Sequence, residues 1–522
     1  MKEIYIYWAN FFPIGKEINM STKIFYDNML TTAKLAELSA EHSVETEILL
    51  ADYDQPVFKI VKSTMEHSIT QKYITKNKLV TEGFIRLSVY YQPPEGEKLS
   101  VATQRIPFQK QFELPLENAD VSFINVYGNC QYINARPQNP TRIDIRGAYM
   151  FTVKVCGQSP VKAVSAAKGN AVCCNSREVA SFYLSGQNIR QFTIEDELDI
   201  DSQQIKIIRI HTCTPTPAVT TYQGKLTSKG EVVADIYYTL SDSREVKKYS
   251  HTFLYNQIID VSEVKENHVA YTDVSVTNVS VSYDADSKKY LAGVTVQLDA
   301  VSFAKQEIIA VTDAFSCCFD YRSTEKQVLT DKNIYQVDKT LPFKFTADTG
   351  RDSTVCHIIF DISPVRSYYE INKTAVKAKV SANIITLNSQ NEYECSEYSE
   401  DIMLSWLENC GRNDEILVKL TAGDSSFVQS GDKVQVNVNL YAQGFVIEKE
   451  QLTLLESFEE DTDNPCSDDN GNLTVYYAQK GEQVFDIAKQ HRAQPQHIMD
   501  ENELQNDILM ADQMIFIPAF EQ

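Results

Sequence analysis

The chain has 522 residues, 43% of them hydrophobic, and a formal net charge of −22 at pH 7. Its length allows roughly three or four domains with buried cores. Lys and Arg residues do not cluster into the stripe that neutralises nucleic-acid phosphates, and no run approaches the roughly 18 apolar residues of a membrane-spanning helix. We therefore expect neither nucleic-acid binding nor a membrane span.

The N-terminal sequence does not have the pattern of a secretory signal. Residues 1–19 contain one early lysine, are interrupted by Asn10 and Pro13, and lack a cleavage site of small residues. A signal peptide needs an uninterrupted apolar region followed by such a site. We therefore expect an intracellular protein.

A helix is predicted shortly after the N-terminus. In "DNMLTTAKLAELSAEH", residues 27–42, the side chains of Leu30, Leu35 and Leu38 recur at helical spacing. This spacing predicts an amphipathic helix that packs on the β-rich unit following it. We assign 1–44 to this helix and an N-terminal extension.

The body of the chain repeats one pattern of β-strands. The segments "KLVTEGFIRLSVYY" at 78–91 and "KLTSKGEVVADIYY" at 225–238 share Lys-Leu, a glycine and a closing Tyr-Tyr, 147 residues apart. A third copy, "TAVKAKVSANIIT" at 374–386, follows at about the same distance if Ala378 takes the position of the glycine. A period this long indicates a duplicated whole domain rather than a solenoid repeat.

Each copy has one face of alternating, mostly apolar residues. These positions are Ile85, Leu87, Val89 and Tyr91; Val232, Ala234, Ile236 and Tyr238; and Val380, Ala382, Ile384 and Thr386. Period-2 alternation over eight residues is typical of a half-buried strand. We predict a mainly β protein with three tandem antiparallel β-sandwich-like repeats, at 45–156, 193–305 and 335–450.

An acidic segment follows the last repeat. Residues 456–472 contain seven Asp or Glu and no Lys or Arg. Like charges repel and few apolar groups can be buried, which predicts a flexible linker. A calcium loop built on Asp468, Asn470 and Gly471 would place Cys466 at the first ligand position, which a hard cation does not favour. No metal site is expected here.

The 11 cysteines include two adjacent pairs in the connectors between repeats. Cys173 and Cys174 form one pair, and Cys317 and Cys318 form the other, 144 residues further on. An odd number without a C-x-x-C motif fits neither a disulfide framework nor a zinc site. We expect reduced thiols in a cytosolic compartment, most of them acting as small hydrophobic side chains.

Catalytic motifs are missing from the sequence. It contains no G-x-x-x-x-G-K-[ST], H-E-x-x-H or G-x-S-x-G motif, and its eight histidines are dispersed. His491 and His497, six residues apart, have no Cys or Ser nearby in an activating pattern. We therefore expect no enzymatic activity and no cofactor. An enzyme with an unfamiliar site in the repeats stays a third alternative.

The C-terminal segment has its own pattern. "YYAQKGEQVFDIAKQH" at 476–491 resembles the opening of a LysM domain, with an aromatic strand, a loop that begins with Gly and a helix of the Trp-x-Ile-Ala type, and Asn502 and "ADQMIFIP" at 511–518 resemble its second half. The resemblance implies a small βααβ module at 473–519. Its expected interior is Val475, Val484, Ile487, Ala488, Ile498, Leu504, Ile515 and Ile517.

LysM domains usually hold N-acetylglucosamine polymers in a shallow groove between two loops. The resemblance places this groove at Gly481, Glu482, Gln483, Val484, Ile508, Leu509 and Asp512. Glu482 and Gln483 stand where the family has Asp-Thr, and Asp512 stands where it has Gly. Because these changes add volume or charge, we expect a protein partner at the groove, and an N-acetylglucosamine polymer is the alternative ligand.

Three β-rich repeats, an acidic linker and a LysM module together resemble the clostridial spore-coat morphogenetic proteins, in which SPOCS domains precede a terminal LysM domain. "ETEILLADYDQPVFKIV", "VTEGFIRLSVYYQ" and "RIDIRGAYMFTVKV" carry this resemblance in the first repeat. It implies a non-catalytic scaffold in the mother-cell cytoplasm, at the forespore surface. Such a scaffold binds the basement-layer ATPase of the spore coat through LysM and other coat proteins through the repeats. A peptidoglycan- or chitin-type glycan-binding envelope protein is the alternative.

Overall fold

The computed structural model describes residues 22–94, 98–115, 122–169, 171–200, 205–240, 243–370, 373–465 and 474–518. Within these ranges nearly every regular element is a β-strand, and neighbouring strands pair antiparallel. The protein is therefore mainly β, as the alternating sequence pattern predicts. In the same ranges no helix is both long and apolar enough to cross a membrane.

The first group of strands divides into two sheets. Its members are β1 Lys23–Leu49, β2 Lys59–Thr75, β3 Lys78–Gln92, β4 Ser100–Glu113, β5 Ser122–Asn139 and β6 Arg142–Lys168. One sheet has the order β1-β6-β5, and the other has the order β2-β3-β4. β1 and β6 are each 27 residues long and pair along nearly their whole length, so they form a long two-stranded ribbon.

The second group also begins and ends with a long strand. Its members are β7 Val172–Leu198, β8 Ile205–Cys213, β9 Ala218–Tyr222, β10 Lys225–Leu240, β11 Lys247–Asp260, β12 Val269–Asp284 and β13 Lys289–Ser316. β13 lies between β12 and β7, and β10 lies between β11 and β8, with β9 also pairing with β10. The ribbon of this group is therefore β7 with β13.

The third group ends in the longest strand described. Its members are β14 Phe319–Asp348, β15 Thr354–Ile362, β16 Arg366–Glu370, β17 Lys373–Leu387, β18 Tyr393–Met403, a 3₁₀ helix at Ser405–Leu407, β19 Glu415–Ser430 and β20 Lys433–Pro465. β20 lies between β14 and β19, while β17 pairs with β15, β16 and β18. Its ribbon is β14 with β20.

The three groups order their strands in the same way. In each, the long first strand pairs with the last strand, the last strand pairs with the one before it, and the shorter strands form a separate sheet. The central strands of these smaller sheets begin at Lys78, Lys225 and Lys373. One pairing, between Asp331 on β14 and Phe182 on β7, joins the larger sheets of the second and third groups into six strands.

The alternating residues of β3, β10 and β17 face the cores. All twelve predicted positions are buried except Tyr238, which is half-buried, so this prediction is confirmed. In the first group the inner face of β3 shares one core with Ile143, Ile145 and Phe151 of β6. In the second group the inner face of β10 shares a core with Val294, Val296 and other residues of β13. In each of these two groups the small sheet therefore packs against the larger sheet.

The helix predicted at 27–42 is wrong, because this segment lies within β1. It pairs with β6 residue by residue, and a bulge between Lys34 and Ala36 shifts the register. After the bulge Ala36, Leu38 and Ala40 face the core of the first group. The bulge changes which residues face inward, and the resulting spacing of apolar residues resembles that of a helix. The pairing with β6 therefore determines the conformation of this segment and overrides the helical spacing of its apolar residues.

The linker predicted at 456–472 is wrong for its first ten residues, because 456–465 form the end of β20 and pair with the start of β14. Phe458 is 1% exposed and stacks on Tyr321 with 5.5 Å between ring centroids. This aromatic contact gives the acidic segment an apolar anchor. The remainder of the predicted linker, including the rejected calcium loop, lies outside the described residues.

The outer halves of the three ribbons pack together into one structure, which we name the stem. It consists of 23–34 with 156–168, 172–184 with 303–316, and 319–331 with 449–465. Its interior contains Met29, Ala163, Val179, Ala310, Val328, Leu452 and Leu454. Since these residues come from all three ribbons, no single group could bury them alone.

Beyond β20 the chain forms a small strand–helix–helix–strand unit, which we name the terminal module. Its elements are β21 Thr474–Ala478, α1 Val484–His491, α2 Pro495–Glu501 and β22 Gln513–Ile517. β21 and β22 pair antiparallel. This order of elements is the one that the sequence predicts.

Candidate protein-binding surface of the terminal module

The terminal module has a compact apolar interior. Of the predicted interior residues, Val484, Ile487, Ala488, Ile498, Ile515 and Ile517 are buried. Leu504 is half-buried. In α1 the buried residues are 484, 485, 487 and 488, which is the spacing of one helix face. The local sequence is therefore sufficient to define the inner face of this helix.

Asn502 links the second helix to the second strand. Its side-chain amide donates to the carbonyl oxygens of Ile498 (2.8 Å) and Phe516 (2.7 Å), and its Oδ1 accepts from the Phe516 N–H at 2.7 Å. These bonds satisfy backbone groups at the end of α2 and on β22. The position of this asparagine in the sequence pattern thus has a structural explanation.

The structure brings all seven predicted groove residues together in two adjoining loops, 479–484 and 507–512. The Gly481 N–H donates to the Leu509 carbonyl at 2.8 Å, and the Leu509 N–H donates to the Glu482 carbonyl at 2.9 Å. Gln483 and Ile508 form a β-bridge between the loops. Because the two loops are bonded directly to each other, they present one continuous surface.

Two of the seven side chains belong to the interior rather than to this surface. Val484 is 1% exposed and Leu509 is 2% exposed, so neither can touch a ligand. Gly481, Gln483 and Asp512 are exposed, and Glu482 is half-buried. Gly481 has a φ of +93°, a conformation that glycine adopts without strain.

The two acidic side chains of these loops stabilise the loops themselves. The Glu482 carboxylate accepts from the Tyr476 hydroxyl at 3.2 Å and from the Gln479 N–H at 2.9 Å. The Asp512 carboxylate accepts from the Lys480 N–H at 2.8 Å. Both groups therefore have a structural role in addition to the charge that they place at the surface.

An apolar face lies on the outer side of the two-stranded sheet. Val475 pairs with Phe516, and Tyr477 pairs with Met514. These side chains are 55%, 43%, 65% and 67% exposed, in that order. Single exposed apolar residues are ordinary on a protein surface, whereas contiguous exposed apolar patches mark interaction sites. We name these four residues the apolar face.

The expectation that Val475 fills the interior is wrong. In β21 the side chains alternate, and Ala478, with no exposed surface, faces the helices while Val475 and Tyr477 face outward. The sequence "TVYYA" is apolar at almost every position, so its pattern does not say which side faces inward. The sequence "QMIFI" is likewise apolar at four of five positions, and only the fold shows that Ile515 and Ile517 are the buried ones.

The terminal module is bound to the end of the stem through α1. Phe485 of the module packs against Phe315 of β13 with ring centroids 5.2 Å apart. Lys489 Nζ lies 2.6 Å from a carboxylate oxygen of Asp313. Partial burial lowers the pKa of Lys489, but the Asp313 carboxylate outweighs it and the net shift is upward. This contact uses α1, and it leaves the apolar face exposed.

A polar cavity lies where the small sheets of the three groups meet. Its volume is about 330 Å³, and its lining includes Glu66, Arg86, Arg209, His211 and Asp361. Arg209 and Glu66 form an ion pair of 2.8 Å, and the His211 Nε2 lies 2.8 Å from the Ala422 carbonyl oxygen. Since acidic and basic groups are balanced here, we interpret the cavity as a structural junction. The sequence does not reveal it, because its residues come from three distant segments.

The described residues hold no group of three or more His, Cys, Asp or Glu side chains arranged to bind a metal ion. His491 packs edge-on against Tyr476 with ring centroids 5.5 Å apart, and His497 is exposed on α2. The two histidines are thus placed as a packing residue and a surface residue.

Residues 56–137 match the family model described as the SipL, SPOCS domain. The matched segment covers β2, β3 and β4 and nearly all of β5. This match supports a SPOCS-containing protein, and the domain suggests a role related to sporulation. Comparison of the chain with curated proteins and with solved structures found no match.

Proposed function

We propose that this protein is a non-catalytic scaffold of spore coat assembly. In this proposal its terminal module, which we identify as a LysM module, binds the basement-layer ATPase of the coat at the forespore surface. The three β-groups, which we propose to be SPOCS-like repeats, bind other coat proteins. The protein then acts in the mother-cell cytoplasm and connects the ATPase layer to the rest of the coat.

The apolar face is the observation that supports a protein partner most directly. Val475, Tyr477, Met514 and Phe516 leave a large apolar area in contact with water. Burying such area is favourable by about 25 cal/mol for each Å², and aromatic residues and Met are enriched at protein interfaces.

The charge of the terminal module indicates which charge the partner's binding surface should carry. Residues 474–518 contain seven Asp or Glu and three Lys or Arg. Two of those three basic residues, Lys489 and Arg492, already pair with Asp313 and Asp320 of the stem region. The remaining surface is acidic, so we expect an apolar site on the ATPase with a basic rim.

Two features support the assignment of the three groups as SPOCS-like. The family match lies within the first group, and the second and third groups pair their strands in the same order as the first. The larger sheets of the second and third groups are joined through β7 and β14, so the likeness lies in the order of pairing within each group. Three units of one design suit a scaffold that gathers several partners.

The test measures capture of the purified coat ATPase by the full-length chain. The native chain is compared with a double variant that carries Tyr477→Glu and Phe516→Glu. We expect capture to weaken at least tenfold, because two charges would be placed in the centre of the contact. The matched control is Leu254→Glu on β11, where the side chain is 73% exposed and far from the module in sequence. The control should capture the ATPase as the native chain does.

A parallel titration with chito-oligosaccharides distinguishes the alternative function. Tight saccharide binding without any ATPase capture would refute the scaffold proposal and favour a glycan-binding envelope protein. ATPase capture that is unaffected by the charges on the apolar face would refute the proposed surface. Circular dichroism of each variant establishes that the fold is retained.

A further inference from the structure

Two of the paired cysteines meet at the end of the stem. The Sγ atoms of Cys173 and Cys317 lie 3.7 Å apart, although the residues are 144 positions apart in the chain. Cys173 is half-buried and Cys317 is buried. The two thiols therefore share one site, and one of them remains accessible to a small reagent.

The pairing of β7 with β13 explains this contact. Cys173 lies opposite Phe315, and the Cys317 N–H donates to the Ala171 carbonyl at 2.9 Å. Alternate residues share one side of a strand, so these four side chains lie on the same side of the ribbon. Ala171, Phe315 and Cys317 belong to the core of the terminal module, and Cys173 packs against it.

The neighbouring cysteine on β7 has a different environment. Cys174 lies opposite Ala314, on the other side of the ribbon, and its Sγ lies 3.5 Å from the Ala167 carbonyl oxygen. Cys174 packs with Val164 and Phe458 inside the stem. The adjacent cysteines 173 and 174 therefore point to opposite sides, and Cys174 serves as a matched control for Cys173.

The two thiols in contact are also chemically unequal. The hydrogen bond with Cys317 lowers the pKa of Cys173 against the opposing effect of burial. The same hydrogen bond, together with burial, raises the pKa of Cys317. Since the thiolate is the attacking species, the accessible Cys173 is the better nucleophile and the buried Cys317 suits a resolving thiol.

We propose that Cys173 and Cys317 form an intramolecular disulfide bond when the protein meets a low-molecular-weight disulfide. The sulfur atoms need to move from contact to a bond length of about 2.05 Å. The nearness of the two thiols on one side of one ribbon is the geometric basis of this site.

The reaction is a pair of thiol–disulfide exchanges. The Cys173 thiolate attacks one sulfur of the small disulfide, the bond between its two sulfurs breaks, and one small thiolate leaves. The Cys317 thiol then loses its proton and attacks the Cys173 sulfur, and the second small thiol leaves as the protein disulfide forms. The two cysteines lose two electrons and two protons, and the small disulfide takes them up to become two thiols.

The bond would fasten the part of the stem on which the terminal module packs. Phe315, which contacts Phe485 of the module, lies two residues before Cys317. A cross-link across the end of β7 and β13 restricts the separation of these strands. Because it closes a loop of 144 residues, it also restricts the unfolded chain strongly.

The experiment treats the full-length chain with oxidised glutathione, blocks remaining thiols by alkylation and maps tryptic peptides without reduction. Residues 169–177 and 306–322 form the two peptides of interest. We expect them to be joined in the native chain and in the Cys174→Ser and Cys318→Ser variants. We expect no joined peptides in Cys173→Ser or Cys317→Ser.

A second measurement compares the melting temperature before and after oxidation. The melting temperature should rise on oxidation in the native chain and in Cys174→Ser, and it should not rise in Cys173→Ser. A link that is absent from the native chain, that depends on Cys174 or Cys318, or that joins two chains on a non-reducing gel would overturn the proposal.

Discussion

Phe315 of the stem and Phe485 of the terminal module pack edge-on, with 5.2 Å between their ring centroids and an interplanar angle of 69°. Phe315 has no exposed surface and Phe485 is 9% exposed. The contact joins a residue from the end of the second β-group to the first helix of the module. The module is therefore part of the stem's packing and does not stand apart from it.

Replacement of Phe315 by Ala should loosen this attachment. Truncation of a buried Phe costs about 3–5 kcal/mol, because the lost contacts leave a cavity. We expect amide hydrogen exchange in α1 to become faster and the melting temperature to fall. The control is Phe58→Ala, since Phe58 is 61% exposed. Equal exchange rates in α1 of both variants would contradict the attachment.

A buried ion pair connects the ribbons at the inner end of the stem. Lys449 Nζ lies 2.5 Å from Asp331 Oδ1, and the other carboxylate oxygen accepts from the Thr32 N–H at 2.7 Å. The Asp331 N–H in turn donates to the Ser181 hydroxyl at 3.3 Å. Strands of all three groups thus meet at one polar site.

Replacement of Lys449 by Met should destabilise the protein by roughly 3–5 kcal/mol, because it leaves the carboxylate of Asp331 buried without its partner. The control is Lys332→Met, which removes an exposed pair with Glu448 and should change the stability little, because water screens this pair. Chemical denaturation of both variants measures the difference. Equal decreases in the free energy of unfolding of the two variants would show that the buried ion pair does not stabilise the protein.

The same variant should respond to pH. Burial raises the pKa of Asp331, and Lys449 only partly offsets this. When the pKa of a carboxyl group is higher in the folded state than in the unfolded state, the folded state binds the proton at a higher pH. Stability therefore rises as the pH falls from the folded-state pKa to the unfolded-state pKa. We expect the deficit of Lys449→Met to shrink on acidification, as measured by melting temperature. If the stability difference between the native chain and Lys449→Met grows on acidification, the raised pKa of Asp331 is contradicted.

His357 should make the native protein sensitive to acid. It is 2% exposed, and its ring lies 4.5 Å from that of Tyr237. Burial, helped by the positive charge of Arg209, lowers its pKa to about 3. Between pH 6.5 and 3 the unfolded chain therefore binds a proton that the folded chain does not, and stability falls as the pH falls.

Replacement of His357 by Phe should flatten this dependence. Each pH unit in the interval costs up to about 1.4 kcal/mol, so the native chain loses on the order of 2 kcal/mol from this group between pH 6.5 and 5. The measurement is the melting temperature at several pH values. The exposed His497 supplies the control His497→Phe, which should leave the slope unchanged. The same slope in native and His357→Phe chains would refute this role.

Glu482 should tolerate loss of charge better than reversal of charge. Its carboxylate accepts hydrogen bonds from the Tyr476 hydroxyl and the Gln479 N–H. Glu482→Gln retains an acceptor, whereas Glu482→Lys removes both bonds and should cost about 1–3 kcal/mol. Thermal unfolding and hydrogen exchange of loop 479–484 measure the effect. Equal stability of the two variants would show that the charge acts only on a partner.

Features that depend on neighbouring residues could be predicted from the sequence. The alternation of Ile85, Leu87 and Val89 determines the inner face of β3, and the spacing of Val484 and Ile487 determines the inner face of α1. Side-chain direction repeats every 2 residues in a strand and every 3.6 in a helix, so the local sequence contains this information. The order of elements in the terminal module follows from the same periodicities.

Features that depend on distant partners were decided by the tertiary structure. Residues 27–42 are a strand because β6 pairs with them, and Phe458 holds the acidic segment in β20 because Tyr321 lies beside it. Val475 faces outward because both strands of its sheet turn their other side to the helices. The contact of Cys173 with Cys317 likewise arises only when β7 pairs with β13. In each case the partner lies tens to hundreds of residues away, and local periodicity contains no information about which distant segment supplies the pairing or the packing.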